Sequence, residues 1–192
     1  MASDLGAAAS EVHVKAEEVL GFWFEGLMPE QWFARSDELD RMIEERFETL
    51  RREVLANRAD GWRDEPRALL AAVILLDQFS RNVHRGTPEA FAADPVAQEL
   101  ASLAVERGWD RDMTKAQRQF LYLPFEHAES RELQAVSLSC FAALGQEEAL
   151  DYARQHAEVI ARYGRFPSRN AALGRASTPE EEEYLRQPGA GW

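Results

Sequence analysis

The chain has 192 residues, of which 45% are hydrophobic, enough for one compact domain with a substantial core and with little room for a second. Its 34 acidic and 22 basic residues give a formal net charge of -12, so most of the surface must be negative. Such a surface argues against nucleic acid and anionic membranes as partners, because both present phosphate groups.

Apolar residues recur at spacings of three and four along almost the whole chain, and this period predicts an all-α fold. Residues 1–12 carry no signal-peptide pattern, and we expect a mobile tail there, followed by a single helical domain over residues 13–192. The first helix is predicted over residues 14–24. The second is capped by Ser36 or Asp37, and its inward positions are Leu39, Ile43, Phe47, Leu50 and Val54.

Caps and prolines mark the next three helices. The third is predicted over residues 66–86, and Asp94 with Pro95 supplies an N-cap and a first-turn proline for the fourth. The sequence TKAQ at 114–117 forms a capping box that opens the fifth. Pro124 should break or kink that helix, because proline lacks an amide hydrogen and clashes with the preceding turn.

The C-terminal third contains two more helices and a long connection. The helices are predicted over residues 132–144 and 147–163, with Gly164 ending the second, and TPEE at 178–181 opens a short last helix. The connection over residues 164–178 exceeds the about 2 to 8 residues usual between helices, so we expect an ordered loop. Short turns elsewhere imply a bundle of antiparallel helical hairpins.

A cytoplasmic location fits the remaining features. The single Cys140 lies in the apolar segment LSCFAAL, which predicts a buried thiol and no intrachain disulfide. The longest uninterrupted apolar run, residues 68–76, is shorter than the about 20 residues that cross a bilayer. The sequence contains no HExxH, no CxxC and no glycine-rich phosphate or dinucleotide loop, so we expect neither a metal site nor a cofactor.

Polar residues occupy inward positions on the third helix. On a helical wheel, Asp77 and Arg81 lie within or beside the apolar stripe, and their spacing of four allows an ion pair. Asn82 lies on the next face. The pair has two interpretations, a structural ion pair or the wall of a pocket, because buried charges need partners and also cluster at functional sites.

The segment FLYLPFEHAE places Glu126, His127 and Glu129 directly after Pro124. A carboxylate beside an imidazole can transfer protons, and His127 with Glu129 is therefore the candidate catalytic pair. The alternative is a structural histidine that bonds a carbonyl freed by the proline. His156, on the apolar stripe of its helix, is interpreted as a core histidine.

The long connection holds arginines and no carboxylate, and two interpretations stay open. Arg165, Arg169, Asn170 and Arg175 would form an anion site where they converge near the start of the last helix. Alternatively, their guanidinium groups would pair with the chain's own acids, Glu126, Glu129 or the run at 180–183.

Five stretches resemble one known family: FWF (22–24), QWF (31–33), LLDQFSRNVHRGTPEAFAADP (75–95), FLYLPFEHAES (120–130) and RYGRFPSRNAALGRASTPEEEEYL (162–185). They look like the domain of unknown function 924 family, and the match covers nearly the whole chain. The resemblance implies an all-helical fold of the tetratricopeptide-like superfamily. It implies no established activity.

Three hypotheses for function follow from these residues. The first is a pocket that binds a small anionic ligand or an acidic chain terminus, lined by Asp77, Arg81, Asn82, Arg165, Arg169, Asn170 and Arg175. The second is an enzyme that uses His127 and Glu129 for acid-base chemistry on a phosphorylated or carboxylated substrate. The third is a scaffold that binds a peptide in a helical groove. The sequence does not choose between enzyme and binding protein, and it leaves the oligomeric state open.

Overall fold

The helices begin and end close to the capping residues. The computed structural model describes the backbone of residues 2–191 and the side chains of residues 10–191, and within that part of the chain there is no β-strand. The α-helices are α1 (Ala2–Leu20), α2 (Asp37–Ala56), α3 (Pro66–Val73), α4 (Ser80–Val83), α5 (Asp94–Glu106), α6 (Lys115–Glu126), α7 (Arg131–Leu144), α8 (Glu147–Tyr163) and α9 (Pro179–Leu185). Two π-helical turns, Gly21–Glu25 after α1 and Ile74–Phe79 between α3 and α4, complete the longer elements.

Several predicted caps are confirmed. The Ser36 hydroxyl accepts a hydrogen bond from the amide of Leu39 at 3.2 Å and so opens α2. The capping boxes that begin at Thr114 and Thr178 are both formed, at the starts of α6 and α9. Gly164 ends α8 with φ of 70°, a left-handed conformation that costs glycine little because it has no Cβ.

The prediction of Asp94 as an N-cap is wrong. The cap position of α5 is Ala93, without a side-chain cap, and Asp94 is the first helical residue. Its carboxylate instead accepts hydrogen bonds from Arg81 and Arg169, which come from α4 and from the long connection. Charged donors form stronger hydrogen bonds than a backbone amide does, and the tertiary contact therefore determines the role of this carboxylate.

Pro124 does not break α6, which continues to Glu126. The proline lies in the last helical turn, and carbonyls near that end find other donors. The buried Gln134 side chain donates from Nε2 to the carbonyl oxygens of Glu126 at 2.7 Å and Ala128 at 2.9 Å. The missing amide of Pro124 would have donated to the carbonyl oxygen of Phe120, so α6 loses one hydrogen bond and still continues to Glu126.

The first helix begins earlier than predicted. Residues 2–20 form α1, and the mobile tail expected over residues 1–12 stays a prediction; Met1 lies outside the described residues. None of the helices within residues 2–191 combines the length and the apolar composition that crossing a membrane requires.

The core lies around α3 and the π-helical turn that follows it. Helices α1, α2, α5 and α6 pack around this central segment, in which every side chain from Ala68 to Ser80 is buried. Helices α6, α7 and α8 form successive hairpins, antiparallel because their connections are short. The prediction of an all-α single domain is confirmed. The tetratricopeptide-like assignment stays a prediction.

Candidate functional site

A cleft of about 770 Å³ opens beside the end of α6. Its walls come from the loop before α2, the π-helical turn with α4, the loop around Phe91, α6, the start of α8 and the long connection. The polar side chains that line it include Gln78, Arg81, Asn82, Arg85, Gln119, Glu126, His127, Gln146, Glu148, Tyr152, His156, Ser168 and Arg169. This volume falls in the range of about 300 to 1,000 Å³ that small-molecule sites occupy.

Asp77 is the buried anchor of this site. Its side chain is 1% exposed, and its carboxylate accepts from His127 Nδ1 at 2.8 Å and from Gln78 Nε2. Arg81 Nη1 lies 3.1 Å from the same carboxylate, so the predicted ion pair four residues apart is confirmed. Burial opposes ionisation, but the charge of Arg81 and the hydrogen bonds from His127 and Gln78 overcome it and hold the pKa of Asp77 below its usual value.

His127 follows the last residue of α6 and points its Nδ1 at Asp77. Because a carboxylate accepts hydrogen bonds and does not donate, Nδ1 carries the proton, and Nε2 keeps its lone pair. Burial, and then the charge of Arg81, lower the pKa of His127, so the ring is neutral at pH 7. Among residues 10–191, no side chain or backbone group hydrogen-bonds to Nε2.

Glu126 and His156 form a second titratable pair in the wall of the cleft. His156 Nδ1 donates to the Tyr152 carbonyl at 2.8 Å and lies 3.4 Å from Glu126 Oε1. Burial, and then the charge of Asp77, raise the pKa of Glu126 to about 8. Burial, and then His127, lower the pKa of His156 to about 3, so at pH 7 the carboxyl is protonated and the imidazole is neutral.

Two arginines share the carboxylate of Asp94. Arg81 binds it through a fork, with Nη1 to Oδ1 at 2.8 Å and Nη2 to Oδ2 at 3.0 Å. Arg169 Nη1 also donates to Oδ2, at 3.2 Å. Together with Asp77, these groups form a cluster of two cations and two anions.

The guanidinium group of Arg169 contacts aromatic rings as well as hydrogen-bond acceptors. Its guanidinium carbon lies 4.6 Å from the ring centre of Phe91 and 4.5 Å from that of Phe166. Nη2 donates to the carbonyl oxygen of His127 at 2.8 Å, which ties the long connection to the end of α6. Burial, and then the charge of Arg81, lower the pKa of Arg169 to about 10, which still leaves it charged at pH 7.

The other arginines of the long connection pair outside the cleft. Arg175 forms a fork with Glu129 at 2.7 and 2.9 Å, and Glu129 also accepts from the amide of Phe166. Burial opposes ionisation, but the hydrogen bonds from Arg175 and from the Phe166 amide, with the charges of Arg175 and Arg169, together outweigh it and lower the pKa of Glu129. Glu129 is therefore a fixed carboxylate that holds the connection in place.

Glu181 does the same at the other end of the connection. It accepts from Arg165 at 2.7 and 2.8 Å and from Asn170 at 3.1 Å, while it also closes the capping box of α9. The hydrogen bonds from Arg165 lower the pKa of Glu181 to about 2. The arginines of the connection thus bind the chain's own acids, the second of the two interpretations made from the sequence.

The predicted site residues divide into three groups. Four line the cleft, Arg81, Asn82, His127 and Arg169, and Asp77 lies directly behind His127 and Gln78. Four others lie away from it, in the ion pairs and hydrogen bonds of the connection: Glu129, Arg165, Asn170 and Arg175. The cleft residues Glu126, Gln78, His156 and Phe91 were not among the predicted site residues. The sequence feature that could have identified Glu126 is its position within the helical periodicity of α6, three residues before Glu129.

The residues present do not suggest a metal centre. Within the part of the chain whose side chains are described, no group of three or more histidine, cysteine, aspartate or glutamate side chains is arranged to hold a metal ion. The arginines that surround Asp77 and Asp94 occupy the positions where a cation would bind.

Comparison with known proteins gives a family and a fold. The family model described as bacterial protein of unknown function (DUF924) matches residues 19–189. A solved structure of a protein of unknown function from Agrobacterium tumefaciens is 37% identical, covers 89% of this chain and 96% of its own, and superposes with a TM-score of 0.84. No curated protein matches the chain. Because the family model spans most of the sequence, this chain belongs to the DUF924 family.

Proposed function

We propose that the protein is an enzyme in which His127 acts as a general base on a small molecule bound in the cleft. The observation that carries the proposal is the 2.8 Å hydrogen bond between His127 Nδ1 and Asp77, which fixes the ring with Nε2 available as an acceptor. A neutral imidazole held in one tautomer is suited to take a proton from a nucleophile, and such groups contribute about 10² to 10⁴ in rate.

Glu126 is the acid of this proposal. Its carboxyl has a pKa of about 8 and is therefore protonated at neutral pH, so it can give its proton to a leaving group. Glu126 takes the acid-base role that the sequence assigned to Glu129. Glu129 does not line the cleft, and Arg175 keeps it ionised. A base and an acid with opposite pKa shifts in one cleft are typical of acid-base sites.

The nucleophile comes from water or from the substrate. None of the serine, threonine or cysteine side chains within residues 10–191 hydrogen-bonds to His127. As the nucleophile forms its bond to an electrophilic carbon, its proton passes to Nε2. As the bond to the leaving group breaks, that group receives the proton of Glu126.

Binding of a small anion or an acidic chain terminus has weaker support. Arg81 and Arg169 are both committed to Asp94, and the two aspartates of the cluster balance their charges. Charge alone would therefore give an anion little advantage. Binding of a peptide in a helical groove stays a prediction.

A turnover screen tests the reaction. Wild-type protein would be assayed on 4-nitrophenyl esters and anilides with short, long and aromatic acyl groups, beside a His127→Gln variant. We expect the variant to lose about 10²-fold or more. His84→Gln is the matched control, because His84 bonds Arg51 outside the cleft and should leave turnover unchanged. The rate should be highest between the lowered pKa of His127 and the Glu126 pKa of about 8.

A measurement without substrate tests the base itself. Nitrogen NMR of the histidine rings at pH 7 should find His127 neutral, with its proton on Nδ1. A protonated His127 at pH 7, or a His127→Gln variant that keeps full turnover of an identified substrate, would refute the proposed role.

A further inference from the structure

Asp77 orients two side chains of the cleft wall, His127 and Gln78, and in the described part of the chain each keeps one free acceptor atom. The Asp77 carboxylate accepts from His127 Nδ1 and from Gln78 Nε2. The second polar atom of each side chain, His127 Nε2 and Gln78 Oε1, is therefore not used by Asp77. The orientation of the Gln78 amide is fixed, because only its nitrogen can donate to a carboxylate. Across residues 10–191, neither Nε2 nor Oε1 receives a hydrogen bond. A ligand that fits here must bring a donor.

The charges of the cleft favour a positive donor. The cluster of Arg81 and Arg169 with its two aspartates is balanced, and Arg85 at the rim binds Asp40 at 2.7 Å. Glu148 also lines the cleft, is exposed, and has no ion pair with any described residue. With Glu126 protonated, the lining and its ion-pair partners sum to one negative charge, on a chain whose net charge is -12. An acidic field of this kind attracts cations.

The far end of the cleft is aromatic. The rings of Trp32 and Phe33 line it and lie 5.3 and 5.6 Å from the ring of Phe120, near the middle of α6. Phe120 precedes His127 by almost two turns, which separates the two ends by roughly 10 Å along the helix. An elongated ligand with a flat apolar body and one polar head matches these two ends.

We infer that the cleft takes an organic amine, with its ammonium group donating to His127 and Gln78 and its apolar body lying against Trp32 and Phe33. This assignment rests on the proposed function for the location of the site, and it names the substrate's amine as the nucleophile that gives its proton to His127 Nε2. It replaces the phosphorylated or carboxylated substrate expected from the arginines.

Calorimetric titration with three compounds of equal length tests the class. The probes are 4-phenylbutylamine, 4-phenylbutanol and 4-phenylbutyrate, added to the full chain at pH 7. We expect the amine to bind at least about tenfold more tightly than the carboxylate, because the carboxylate cannot donate to either acceptor and leaves them desolvated. Tighter binding of the carboxylate, or no binding of any probe at millimolar concentration, would overturn the inference.

Variants separate the charge from the hydrogen bond. Glu148→Gln should weaken amine binding about two- to fivefold and leave the alcohol unchanged, as expected for one exposed charge. Glu147→Gln is the control, since Glu147 pairs with Arg154 and lies outside the cleft. Gln78→Met should weaken the amine about tenfold. If Glu147→Gln matches Glu148→Gln, the site is elsewhere. If the amine binds but no turnover depends on His127, the proposed reaction is refuted and the inference about the ligand class stands.

Discussion

Replacing Glu126 with glutamine should stabilise the protein at neutral pH, by an amount that grows between pH 5 and pH 8. The Glu126 side chain is 6% exposed, and burial raises its pKa to about 8 from an ordinary value of 4.5. Over this range the folded chain holds a proton that the unfolded chain has lost. The stability from this group is therefore complete below about pH 4.5, falls as the pH rises, and reaches its minimum above pH 8.

The two pKa values set the size of the effect. They differ by about 3.5 units, and each unit corresponds to about 1.36 kcal/mol, which gives a limit of about 5 kcal/mol. Local opening of the end of α6 would admit water and reduce that figure. We therefore expect the unfolding free energy of wild type to fall, relative to Glu126→Gln, by about 2 to 4 kcal/mol between pH 5 and pH 8.

Urea unfolding of wild type and variant at half-unit pH steps measures this difference. Glu129→Gln is the control, because the lowered pKa of Glu129 leaves that carboxylate ionised in both folded and unfolded chains above about pH 5.5. The difference between wild type and Glu129→Gln should then be flat across the same range. A flat difference for Glu126→Gln would show that its carboxyl ionises normally, and the acid assigned to the cleft would be lost with it.

Three further predictions concern groups around the site. Asp77→Asn should lower the unfolding free energy by about 2 to 5 kcal/mol, because it removes a buried charge that faces Arg81, and a loss below about 1 kcal/mol in urea would contradict this. A double-mutant cycle of Glu129→Ala and Arg175→Ala should give a coupling of about 1 to 3 kcal/mol, whereas a coupling near zero would mean that the fork does not hold the connection. Partial burial raises the pKa of Cys140 to about 11, so its labelling by a disulfide reagent at pH 8 should run about 100-fold slower than that of glutathione; equal rates would refute the raised pKa.

Local sequence signals predicted the helices well, because a cap is made between residues three positions apart. Ser36 and Thr114 needed nothing beyond their own first turns to act as predicted. Asp94 shows where this reasoning fails. It has the sequence context of a cap, yet Arg169, 75 positions along the chain, binds its carboxylate. A donor so distant in sequence enters only through the tertiary fold.

The candidate site was predicted in parts but not as an assembly. The sequence placed Asp77 on an inward position and named His127 as a catalytic candidate, yet they are 50 residues apart, and no spacing rule pairs them. It also preferred Glu129 to Glu126 as the partner of His127. Three residues separate these glutamates, but α6 ends between them, so one carboxyl points into the cleft wall and the other meets Arg175.

The π-helical turn Ile74–Phe79 lets the central segment change its length by one residue without moving the cleft. All six of its side chains are buried, and such a turn holds one residue more than an α-helix needs. If one residue were deleted there, the helix could close as a regular α-helix and α4 would keep its orientation, with Arg81 still facing Asp94. A residue deleted from α3 would instead turn everything after it by about 100° and carry Arg81 away from Asp94. The two deletions would remove equally apolar residues from the core and would differ in what they do to the polar wall of the cleft.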